Sequence, residues 1–165
     1  MVDEASIAVA TLTNANLSLT DNNLQFKNAC SMLKITFKYA AGLSQENRKK
    51  ITQISIASTK RENKIAGEAV IGPDGNCVID TNGESSIIVK KEYGAPFTEG
   101  TAYYVVMPAQ TINGFVVTFK TETVSDTYYE YSVTVKNPVD FKRNKIQKLN
   151  VEIKNWEPHQ MEDFS

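Results

Sequence analysis

Leu33, Ile35 and Phe37 share one parity of the stretch Cys30 to Lys38, and Lys34, Thr36 and Lys38 share the other. In a pleated strand, alternate residues point to opposite faces, so this pattern predicts a strand with one face in a core and one in water. The pattern recurs. Phe115, Val117 and Phe119 fall on one face of a strand. Tyr129, Tyr131, Val133 and Val135 alternate with Glu130, Ser132 and Thr134, and Leu149, Val151 and Ile153 alternate with Asn150, Glu152 and Lys154. Ile54 and Ile56 mark an inward face over Ile51 to Ala57. Tyr103-Tyr104-Val105-Val106-Met107 is different, being apolar at every position. Such a strand is expected to be covered on both faces. Pro108 ends it, because proline has no amide to give a ladder, and Asn113-Gly114 supplies the turn into Phe115. The segment Gly100 to Thr121 is therefore the pair around which the rest is expected to pack.

Weaker patterns fill the remainder. Ser6 to Thr13 reads as a strand without clean alternation, Asn14 to Asn23 is polar, and Leu24 and Phe26 begin a better strand. Ile65 to Ile71 is a strand interrupted by Gly67, followed by a turn at Pro73-Asp74-Gly75. Cys77 to Asp80 and Ser86 to Val89 flank Asn82-Gly83, a second hairpin signal, and Ser125-Asp126 turns the chain before Thr127. Ser44 to Lys50 is the single plausible helical turn, short and without an apolar face. The sum is about ten short strands with almost no helix, which predicts an all-β fold, an antiparallel β-sandwich rather than a barrel. The expected organisation is an N-terminal strand and polar linker over 1–23, a sandwich domain over 24–154, and a tail or linker over 155–165.

With 165 residues the chain is long enough to bury a core as one domain. A net charge of −1 gives no global field toward nucleic acid or an anionic membrane. Charge is uneven, however. Met1 to Phe26 carries three acids, Asp3, Glu4 and Asp21, and no Lys or Arg, whereas Arg48-Lys49-Lys50 and Lys60-Arg61 make short basic clusters read as solvated loops. No apolar run approaches the ~20 residues of a membrane-spanning helix. The acidic start and the short Ile7 to Leu12 do not read as a secretory signal, and Lys27-Asn28-Ala29 before Cys30 does not read as a lipid-attachment site. Cys30 and Cys77 fit no zinc spacing. They read as small buried thiols, or as a disulfide if their strands are neighbours.

Catalytic chemistry is not legible. The one histidine, His159, falls in the tail beside Pro158, where it has no fixed partner for acid–base work, so neither a Ser-His-Asp nor a Cys-His arrangement is expected. Glycines stand singly at turns and form no phosphate loop. Asp74, Asp80 and Glu84 gather near two turns but do not follow a calcium-loop spacing. Asn16-Leu17-Ser18 matches a glycosylation sequon. Catalytic, metal and cofactor-binding residues are therefore all expected to be absent. Tyrosines are abundant. Most are strand formers that half-bury, and Tyr104 and Tyr128 are the candidates for exposed contact with a sugar.

Four stretches in order resemble the fimbrillin family of Bacteroidales, the type V pilins and their relatives. They are Leu24 to Phe37 (LQFKNACSMLKITF), Ile51 to Ile56 with Ile65 to Ala69, Phe97 to Phe119, and Arg143-Asn144-Lys145-Ile146 leading to Leu149-Asn150-Val151. They span Leu24 to Ile153, and their order and spacing carry the resemblance more than any one motif. The resemblance implies the N-terminal domain of such a subunit, a transthyretin-like or immunoglobulin-like sandwich. It also implies a non-enzymatic structural or adhesive protein of the cell surface, outer membrane or fimbrium. Its partners would be other fimbrillin-like subunits or surface ligands, joined by strand donation, in which a neighbour's strand completes an exposed sheet edge. By position the exchangeable strand is Ser6, Ile7, Ala8, Val9, Ala10, Thr11 and Leu12. The sequence departs from the family in having no Arg or Lys before Lys27 for an Arg-specific maturation cut, and in spanning one domain where the family has two. The competing expectation is a carbohydrate-binding β-sandwich that uses exposed tyrosines.

Overall fold

The computed structural model describes residues 30–65, 69–71, 77–79 and 84–161. Among them are twelve strands: β1 (Cys30–Tyr39), β2 (Ile51–Ser58), β3 (Ala69–Ile71), β4 (Cys77–Ile79), β5 (Ser86–Val89), β6 (Tyr103–Pro108), β7 (Thr111–Ile112), β8 (Phe115–Thr121), β9 (Thr127–Val135), β10 (Val139–Asp140), β11 (Ile146–Ile153) and β12 (Glu157–Gln160). The helical content is two single turns, Gln45–Asn47 and Glu92–Gly94. The small sheet is three-stranded in the order β11-β1-β6, and the large sheet is five-stranded in the order β12-β9-β8-β2-β5. The ribbons β3-β4 and β10-β7 are separate. This is the expected all-β sandwich.

The alternating strands supply the core. Leu33, Ile35 and Phe37 from β1 and Phe115, Val117 and Phe119 from β8 are all buried. The Phe37 and Phe119 rings meet across the sandwich at 5.6 Å between centroids. Register carries the pattern sideways. Val117 pairs with Ile56 on one side and Val133 on the other, so the central row of the large sheet's inner parity is apolar across three strands. In β6, Val105 to Pro108 are buried at consecutive positions, as a strand covered on both faces requires.

Turns follow the residues that can make them. Ser125 and Asp126 both have positive φ (52° and 64°), the requirement of a two-residue hairpin turn whose twist matches its strands. Gly114 sits at φ 100°, and a Cβ there would lie 2.8 Å from Thr59 Oγ1, so the Asn113-Gly114 turn needs its glycine. Between Lys120↔Glu130 and Val124↔Thr127 the β8–β9 register slips by one residue. The buried Thr121 hydroxyl fills the irregularity by accepting the Tyr129 amide at 3.0 Å.

Four features depart from the sequence reading. The pair β1–β11 is parallel, Met32 to Tyr39 against Ile146 to Ile153, which makes the small sheet mixed. Local pattern carries no information about a partner so distant in sequence. Ile112 and Phe141 are buried beside the β7–β10 ribbon, whose two-residue strands show no period in the sequence. The segment read as a tail contributes β12, which pairs antiparallel with β9, and Trp156 Nε1 donates to Asn47 O at 2.6 Å. Of the expected strand Ile65 to Ile71, Ile65 stands outside any strand, Ala69–Ile71 is β3, and 66–68 lie outside the described residues.

Candidate functional site

The expected exchangeable strand, Ser6 to Leu12, lies outside the described residues, as do Asn16, Asp74, Asp80 and the side chain of Cys77. Cys30 is buried. The small sheet shows what such a strand would meet. β1 is its centre, and β6 pairs with β1 through six registered residues, from Cys30↔Pro108 to Ile35↔Tyr103. No other described strand pairs with β6, so one of its edges presents unpartnered backbone among the described residues. An edge strand is normally short, charged or broken by bulges. β6 instead carries four consecutive buried positions. Its start is anchored: the Tyr103 hydroxyl accepts the Thr98 amide at 2.6 Å, and the Phe97 and Tyr103 rings meet edge to face at 4.8 Å.

Register assigns the two tyrosines whose faces the sequence left open. Tyr104 pairs with Lys34, on the face opposite Leu33 and Val105, and so lies half-buried on the outer side of the small sheet. Tyr128 is the residue before Tyr129 in β9, where Tyr131 and Val133 face the core, and so lies on the outer side of the large sheet. The structure therefore places them on opposite outer faces, out of reach of one ligand. Tyr128 is also occupied. The His159 ring stacks on it at 5.2 Å, and Lys120 Nζ lies 4.2 Å from its centroid. These contacts come from β12 and β8, the strands on either side of β9. His159 Nε2 lies 3.1 Å from Glu130 Oε1. The histidine read as idle is a structural pin for β12.

No protein-family model matches this chain, and neither the curated proteins nor the solved structures give a significant match. The functional reading therefore rests on the residues themselves. Among the described residues no group of three His, Cys, Asp or Glu side chains converges on a metal position. No described helix is long and apolar enough to cross a membrane. An open recess of about 620 Å³ beside β10 and β11 is lined in part by Asp140, Lys142, Lys145 and Ile146. The Asp140 carboxylate there accepts the Thr111 hydroxyl.

Two residues that sequence reasoning did not single out stand together on the outer face of the small sheet. Lys34 and Lys148 are directly opposite each other in the β1–β11 register, with Tyr104 on the far side of Lys34. Their parity was legible in the sequence. Their juxtaposition required the parallel pairing.

Proposed function

We propose that this chain is a non-enzymatic structural or adhesive subunit of a cell surface or fimbrium, which associates with like subunits by accepting a strand at the edge of β6 that no described strand pairs. The fimbrillin resemblance supplies the class of function, and one observation supports it: an edge strand with consecutive buried positions from Val105 to Pro108. Backbone amides and carbonyls along that edge give an incoming strand its hydrogen bonds, and neighbouring side chains set its register. In this reading Ser6 to Leu12 of the same chain covers that edge until it is displaced, and a strand of a neighbouring chain then takes its place.

Light scattering over a range of concentrations tests it, on the chain and on a version lacking Met1 to Asn23. The expected result is a monomeric chain and a shortened version that forms ladders, dispersed again by a peptide of Ser6 to Thr13. Two monomers at every concentration would overturn strand exchange.

A further inference from the structure

The outer face of the small sheet carries a row of three polar heads across its strands: Lys148 in β11, Lys34 in β1 and Tyr104 in β6. Like charges directly opposite each other on neighbouring strands repel, and folded proteins usually place an acid between them or across from one of them. Among the described residues neither lysine makes an ion pair, and the Tyr104 hydroxyl makes no hydrogen bond. The described acid on this face is Glu152, which lies two rows away and is engaged with Lys38 at 3.7 Å. Lys34 and Tyr104 are half-buried, so their heads are partly withdrawn from the water that would otherwise satisfy them. The next row, Thr36 and Asn150, is neutral and polar. In the other direction come Val106, Met32 and Ile146, the first buried and the last half exposed.

We propose that this face binds an acidic glycan, a chain bearing sulfate or carboxylate groups. One such group is held between Lys34 and Lys148. Each ammonium donates to an anionic oxygen, and these charge-assisted bonds are the strong class of polar contact. Tyr104 donates its hydroxyl to the same group or packs its ring on the adjacent sugar. Thr36 and Asn150 offer hydrogen bonds to ring hydroxyls. A nucleic acid is the poorer fit, because Tyr104 is the one aromatic on this face among the described residues and single strands need successive stacking platforms. Its two lysines lie on β1 and β11, not at the β6 edge, so the proposal goes beyond the assembly reading and stands or falls separately from it.

Titration calorimetry on the full monomeric chain tests the proposal with a heparin-derived hexasaccharide as probe. Its desulfated counterpart, inorganic sulfate and a single-stranded oligonucleotide of matched charge serve as the other arms. The expected result is salt-sensitive binding of the sulfated sugar alone. Lys34→Gln and Lys148→Gln should each weaken it about tenfold, and Tyr104→Phe should weaken it less. Lys50→Gln with Lys90→Gln, twice that charge change but beside the large sheet, should leave it unchanged. Circular dichroism confirms that each variant is folded. Absence of binding would overturn the proposal, as would equal affinity for inorganic sulfate or for the oligonucleotide, or an equal loss in the Lys50/Lys90 control.

Discussion

On the outer face of the large sheet, the long polar side chains of β8, β9 and β12 answer one another. Lys120 lies over Tyr128, His159 stacks on that ring and reaches Glu130, and the hydroxyls of Thr118 and Ser132 are 2.8 Å apart. On the outer face of the small sheet, the equivalent central row holds two facing lysines and a tyrosine with no such closure among the described residues. Both faces come from strands with the same alternating grammar, so folding alone accounts for neither choice. The difference teaches that side-chain pairing on the large sheet serves to hold an edge strand, β12. The small sheet keeps charges that cost stability locally, which makes it the face to examine for recognition.

Substitutions that probe the shared core should have the largest effect and should abolish the distinction between faces. Phe37→Ala and Phe119→Ala, one from each sheet, should each cost about 3–5 kcal/mol in urea unfolding. Because the two rings touch, the double variant should lose less than the sum. Strict additivity would mean that the sheets do not share one packing unit. Gly114→Ala forces a side chain into positive φ against Thr59 at the start of β8, and should cost roughly 1–3 kcal/mol.

A smaller effect is expected at Tyr39, which ties the end of β1 to the chain entering β2 by donating its hydroxyl to the Lys49 carbonyl. Tyr39→Phe should cost about 0.5–1.5 kcal/mol near neutral pH. Burial, and then the Glu99 carboxylate, raise the Tyr39 pKa above its ordinary 10.0, against a lowering by Arg48. The unfolded chain therefore ionises first. The contribution of Tyr39 is complete below pH 10 and falls as pH rises through the folded-state value. Tyr39→Phe should flatten the alkaline loss of stability measured by unfolding at successive pH values.

The smallest effect sharpens the comparison most, because its sign reverses. Lys148→Glu turns a facing like-charge pair into an opposite pair and should stabilise by about 0.2–1 kcal/mol. Lys120→Glu, which faces Glu130 across β8 and β9, should destabilise by about the same amount. Thermal melts at low salt would show it. Equal signs would mean that the two faces are electrostatically alike.

The strands with clean parity, such as Leu33 to Phe37 and Phe115 to Phe119, were legible because a two-residue period is a local property that burial enforces. β12 was not, since Glu-Pro-His-Gln has no apolar parity and a proline is tolerated there only because the strand is an edge. The turn residues Ser125-Asp126 and Asn113-Gly114 announced themselves through their backbone chemistry. Strand order did not, and with it went the candidate sites. Tyr104 and Tyr128 could be picked out as aromatics, but only register shows that they look away from each other. The sequence also offered no reason to join Lys34 to Lys148 across 113 intervening residues.

The parallel pairing of β1 with β11 carries a mechanical consequence. The N-terminal end of β1 and the C-terminal end of β11 lie at opposite ends of the same pair, with eight residue pairs in register between them. A pull applied through those two ends acts along both strands in opposite directions. The backbone bonds between them are then loaded together in shear instead of being opened one after another. Tension transmitted along the chain would peel β12 first and then meet this clamp, so the central strand of the small sheet is also the molecule's tensile element.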